Sequence, residues 1–122
     1  MQLTLINLTP HPVVMYAGDG PVASWAPSGV VARLVERVGP VCRLVTDQGE
    51  VAMADMSYAE GIEGLPEAGE GTAYIVSRVL AAAVVRDDLY FPLDEVRDDE
   101  GRIAGCRALG KFIHEEARDD AG

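Results

Sequence analysis

Ser77 and Arg78 stand where a β-branched and aromatic run, residues 72–76, gives way to the alanine-rich run 79–86. A strand feeding a helix there would leave free backbone N–H groups and a partial positive charge at the helix start, which suits a phosphate or carboxylate. Arg78 is adjacent, and Thr72 and Tyr74 lie on the incoming strand. The glycine-rich stretch before them lacks the G-x-x-x-x-G-K-S/T of a phosphate loop. Glu60, Glu63, Glu67 and Glu70 lie close in sequence and oppose an anion. Ser77 also has a plainer role, as the N-cap of the helix.

Asn7 and His11 bracket a rigid turn around Pro10, so their side chains can be held in place at low entropic cost. Histidine is the natural acid or base near neutral pH, although a lone histidine in a turn more often caps or hydrogen-bonds. Cys106 could act as a nucleophile if a base such as His11 lay beside it and lowered its pKa. His11 and His114 are the chain's two histidines, and neither has a second ligand at a recognised spacing, so neither a metal nor a cofactor is expected. Arg97, Arg102 and Arg107 form a third group near the C-terminus. Their planar forks suit bidentate contact with phosphate or carboxylate. The competing role is surface pairing with Asp94, Glu95, Asp98 and Asp99, which suits Arg102 best because it follows the turn. The pairs Asp87-Asp88 and Asp98-Asp99 sit at a helix end and a turn, where aspartate serves local needs.

These residues belong to a chain of 122 residues, one ordinary domain, large enough to bury a core without staples. Hydrophobic residues make up 48% and charged residues 25%, the balance of a globular protein. The net charge of −10 argues against a protein that binds nucleic acid by neutralising phosphates. No leader segment and no membrane-spanning run are visible, and Cys42 and Cys106 read as reduced thiols, so a cytoplasmic location is expected.

The positioning elements are mainly strands. Residues 3–8 and 13–16 read as strands in a loose hairpin, and 30–38 alternates with a period of two, as a half-buried strand does. Residues 41–46 and 50–53 flank the turn Asp47-Gln48-Gly49 and predict a hairpin. Residues 56–71 form the longest irregular stretch. Residues 72–76 predict a strand and 77–86 one helix, apolar nearly all round and so expected to be largely buried. Residues 89–91 predict a short strand, and 96–109 a closing hairpin around Asp98-Asp99-Glu100-Gly101. Gly105 inside a strand marks a bulge or a close backbone approach. The expected fold is α+β: a mostly antiparallel sheet, one buried helix and a C-terminal hairpin within a domain of residues 1–113. An acidic, solvated tail follows over 114–122.

Asn7-Leu8-Thr9-Pro10-His11, the G-T-x-Y-I-V-S of residues 71–77, and the R-D-x-x-G-R-I-x-G-C-R of residues 97–107 occur in this order. In these segments the chain resembles a group of small uncharacterised proteins of actinobacteria and their phages. The resemblance covers most of the chain and is weakest over 38–57. It implies a bacterial or phage origin, and a phage origin favours a protein that interferes with a host factor or its small-molecule signal.

Three functions follow as expectations. The first is a non-catalytic protein that binds or sequesters a small anionic, nucleotide-like ligand at the strand–helix junction, with Asn7, His11, Thr72, Tyr74, Ser77, Arg78, Arg97 and Arg107 as its residues. The second is a small hydrolase or transferase using His11 or Cys106. The third is an acidic interaction or inhibitor module that covers a partner protein. Direct nucleic-acid binding and membrane association are not expected, whereas self-association through open sheet edges is.

Overall fold

The computed structural model describes residues 2–58 and 61–114. Its elements in chain order begin with β1 (Thr4–Asn7), β2 (Val13–Ala17) and β3 (Gly20–Trp25). An excursion follows with β4 (Arg33–Leu34), β5 (Arg37–Val38), β6 (Cys42–Thr46), β7 (Gly49–Met53), β8 (Met56–Ser57) and β9 (Ile62–Glu63). The chain then returns through β10 (Thr72–Ile75), α1 (Arg78–Ala83), β11 (Leu89–Arg97) and β12 (Ile103–Gly110). Among the described residues the molecule is β-rich with one short helix, at the strand-heavy edge of the α+β class.

Six strands form one sheet in the order β1-β10-β11-β12-β2-β3. β1–β10, β10–β11 and β12–β2 are parallel, and β11–β12 and β2–β3 are antiparallel. The sheet is therefore mixed, which corrects the expected mostly antiparallel one. The cause is the excursion, which is long enough to carry the chain across and return it beside β1 in the same direction. For the same reason β1 and β2 form no hairpin: β2 pairs instead with β3 and β12. The C-terminal hairpin is present, and β11 is longer than the expected 89–91.

The sheet curls until its ends meet. Asn7 at the end of β1 bridges Pro27 just beyond β3, and the Ser28 N–H donates to the Asn7 carbonyl at 3.0 Å. The inner face gathers Val13, Ile75 and Cys106, with Leu5, Met15, Trp25 and Leu109 against them. Strand alternation turns Tyr74 and Val76 the other way, into an outer core with Leu8, Leu80, Leu89 and Phe91. β10 is covered on both faces, as its unbroken Ala-Tyr-Ile-Val run requires.

Ser77 caps α1, its Oγ accepting from the Leu80 N–H at 3.2 Å. The helix ends at Ala83, because the β-branched Val84 turns to extended backbone (φ −111°, ψ 126°). Within it only Leu80 and Ala81 are buried, and Val79 and Val85 face solvent. The largely buried helix over 77–86 is thus corrected to a shorter, half-exposed one. Leucine and alanine on a single stripe suffice to dock it.

Arg86, freed from the helix, ties the loop before β10 to the sheet. Its Nε and Nη2 donate to the two Asp88 carboxylate oxygens at 2.9 and 2.7 Å, and its Nη1 donates to the Pro66 carbonyl at 3.0 Å. The Arg86 hydrogen bond holds the Asp88 carboxyl below its ordinary value of 3.8, against the opposing effect of burial. A depressed carboxylate stabilises the fold above its unfolded pKa, and that contribution fades as pH falls through the folded value. Asp88→Asn is therefore expected to lower stability by about 1 kcal/mol at neutral pH. As pH falls below the ordinary aspartate value the difference should shrink, and it should vanish below the depressed value of the folded protein, as urea titrations at stepped pH would show.

No helix among the described residues is long and apolar enough to cross a membrane. The tail expected over 114–122 lies, His114 apart, outside the described residues.

Candidate ligand cleft

Because β11 and β12 run on past the end of β10, their hairpin stands beside the turn that joins β1 to β2. A cleft of about 750 Å³ opens between them. Thr9, Pro10, His11 and Pro12, with Val13 and Val14 of β2, form one side. Pro92 and Glu95 of β11 and Ile103, Ala104, Gly105 and Cys106 of β12 form the other, and Val76 and Ser77 also line it. The cleft lies beside the one ladder pair that joins β12 to β2, Cys106 with Met15.

Asn7 shapes the first side. Its Nδ2 donates to the carbonyls of His11 at 2.8 Å and Trp25 at 2.9 Å. Its Oδ1 accepts from the Thr9 N–H at 2.9 Å and the Thr9 hydroxyl at 2.7 Å. Both donors and both acceptor positions of this buried amide are used by the chain itself. Asn7 holds the turn that presents His11, and offers no hydrogen bond to a ligand.

His11 and Ser77 are the two expected site residues that the structure brings to the cleft. Thr72 lies at the opposite end of β10, paired with Thr4. Tyr74 lies in the outer core, its hydroxyl donating to the Glu67 carbonyl at 3.2 Å. Arg78 lies over the Phe91 ring, 5.1 Å from its centroid. Arg97 donates to the Gly101 carbonyl at 2.7 Å and to Glu95 at 3.0 Å. Arg107 donates to the Gly18 carbonyl at 2.9 Å, and Arg102 pairs with Asp98 and Glu100 around the turn. Among the described residues no arginine lines the cleft, so the expected arginine-lined junction is not assembled there. The reason is local: turn carbonyls and nearby carboxylates take up the guanidinium groups first.

Cys106 lines the cleft but belongs to the inner core, where it is 2% exposed. Its Sγ donates to the Val14 carbonyl at 3.7 Å. Burial pushes the thiol above its usual pKa, the Asp94 charge adds to this, and hydrogen bonds from the Leu93 and Ala108 backbone work against it. It is a packed thiol, not a poised thiolate. Pro92, Glu95, Ile103 and Ala104 went unmarked as site residues in the sequence, since nothing local distinguishes them from any strand. Gly105 carried the one usable signal. A Cβ there would lie 2.5 Å from the Val14 carbonyl oxygen, the close backbone approach its position predicts.

No family model, no curated protein and no solved structure matches this chain. The fold and the cleft define it only as a curled mixed-sheet protein with an open, mainly apolar cavity at one end of the sheet.

Proposed function

We propose that the protein is a non-catalytic binding protein that holds a small, largely apolar molecule in the cleft between the 9–14 segment and the β11–β12 hairpin. One observation carries this reading: a cavity of about 750 Å³ walled mainly by proline, valine, isoleucine, alanine and glycine, with few polar side chains. That is the composition of a small-molecule site. His11, Ser77 and Glu95 supply hydrogen bonds that would orient the ligand's polar end. Among the described residues no arginine lines the cleft, and the Glu95 carboxylate on its wall is already paired with Arg97, which favours an uncharged head over an anionic, nucleotide-like one. The protonated, buried Cys106 weighs against covalent chemistry.

The test fills the cavity. Ala104→Trp is expected to weaken binding of an apolar heterocycle, found by thermal-shift screening, by about tenfold or more while the fold persists, as calorimetry would show. Heat-denatured wild type should return the ligand unchanged in mass. Nucleotide binding that survives Ala104→Trp, or a ligand returned as product, would overturn the proposal.

A further inference from the structure

The polar side chains that line the cleft are Thr9, His11, Ser77, Glu95 and Cys106, and most are engaged by the chain itself. The Thr9 hydroxyl donates to Asn7 Oδ1 at 2.7 Å, the Cys106 thiol donates to the Val14 carbonyl, and Glu95 is joined to Arg97 at 3.0 Å. Two groups keep capacity. Ser77 Oγ accepts from the Leu80 N–H, which leaves its hydroxyl proton to donate. His11 uses its backbone carbonyl and N–H within the turn, and among the described residues nothing pairs with its ring. A neutral imidazole offers one N–H and one bare nitrogen.

The sheet topology brings these two groups to one place. β1 runs parallel to β10, and the ladder continues past their ends, where the Leu8 N–H donates to the Ile75 carbonyl. After β1 the chain turns to the inner face, where Val13 packs. After β10 it turns to the outer face, where Leu80 packs. Connections that leave neighbouring parallel strands on opposite faces open a crevice at the carboxyl ends, and open parallel sheets hold their ligands there. Within the lining, Val76 and Cys106 are 0% and 2% exposed, whereas His11 and Ser77 are open to solvent. An apolar ring fits inward against the buried pair and the prolines, with its polar end at Ser77 and His11.

Resting on the reading of this cleft as a small-molecule site, we infer that its ligand carries a neutral amide or lactam on an apolar ring. The carbonyl accepts from the Ser77 hydroxyl, and the N–H donates to the bare ring nitrogen of His11. A ketone or ester satisfies Ser77 but leaves that nitrogen without a donor. A carboxylate stands beside Glu95 in a chain of net charge −10.

Quinolin-2-one, its N-methyl derivative and naphthalene share a double ring and differ in the head. Titrations of the full chain followed by protein NMR should rank quinolin-2-one above its N-methyl derivative by about fivefold and above naphthalene by about tenfold or more. Ser77→Asp keeps an acceptor for the Leu80 N–H but has no proton to donate. His11→Leu removes the ring nitrogens. Each should shrink the preference for quinolin-2-one over naphthalene to about threefold or less, with the dispersed spectrum showing that the fold persists. Naphthalene binding as tightly as quinolin-2-one, or a preference that survives in both variants, overturns the inference and leaves the cleft as a purely apolar site. Failure of all three compounds to bind overturns the reading of the cleft as well.

Discussion

Asn7→Ala is expected to lower the unfolding free energy by about 3 kcal/mol, among the larger effects a single substitution has. The side chain is 2% exposed, and its four hydrogen bonds join three parts of the chain: the end of β1, the turn at Thr9 and His11, and the end of β3 at Trp25. Alanine leaves a small void and strips a partner from two carbonyls, an N–H and a hydroxyl. The groups on the turn can find water, but the Trp25 carbonyl lies in the seam where the sheet meets itself. Urea unfolding followed by Trp25 fluorescence should show a lower midpoint with an unchanged slope. Asn7→Asp is the sharper control. It keeps the size and the acceptors but turns a carboxylate oxygen toward the His11 and Trp25 carbonyls. It should be no better than alanine, and recovery of wild-type stability in Asn7→Asp would show that donation to those carbonyls does not hold the seam.

Gly105→Ala should be comparably damaging, by about 3 kcal/mol, through crowding rather than loss of contacts. Its Cβ would lie 2.5 Å from the Val14 carbonyl oxygen and 2.6 Å from a Tyr16 ring carbon. The Tyr16 ring can swing aside, whereas the Val14 carbonyl belongs to the strand. Relief must come from moving β2 away from β12, and those strands share a single ladder pair. Ligand binding should fall as well, since Gly105 and Val14 both line the cleft. Gly20→Ala is the matched control, with nothing within 4 Å of the new methyl, and should change stability by no more than about 0.5 kcal/mol. Thermal unfolding of the three proteins in parallel settles the comparison, and an unaffected Gly105→Ala would mean that the two strands are not in close approach.

Local elements were legible in the sequence because their signals are local. The Asp47-Gln48-Gly49 turn marked the β6–β7 hairpin, Ser77 marked the N-cap of α1, and the 98–101 turn marked the last hairpin. Partnership between distant strands was not legible. Nothing around Thr4 points to Thr72, yet those strands run side by side. The length of β11 was hidden by Pro92 and by Asp94, whose φ of 64° is rare inside a strand. The alternation over 30–38 predicts one half-buried strand, but only Arg33–Leu34 and Arg37–Val38 pair within it, and burial along it does not alternate. At the cleft, charge was the misleading guide. The arginines attracted attention because the chain has few of them, while the walls are built of residues that look like ordinary strand. His11 and Ser77 were found because a proline turn and a helix cap each mark a place where the backbone changes direction.

The excursion also sets an order of events for the newly made chain. The β6–β7 hairpin closes over a two-residue connection, Asp47 and Gln48, and such hairpins zip within microseconds. β1, by contrast, pairs with a strand roughly seventy positions downstream, and loop closure on that scale is slow. Of the strands in the six-stranded sheet, β1 is therefore among the last to find its place. Until β10 emerges, the edge of β1 that β10 covers waits unpaired.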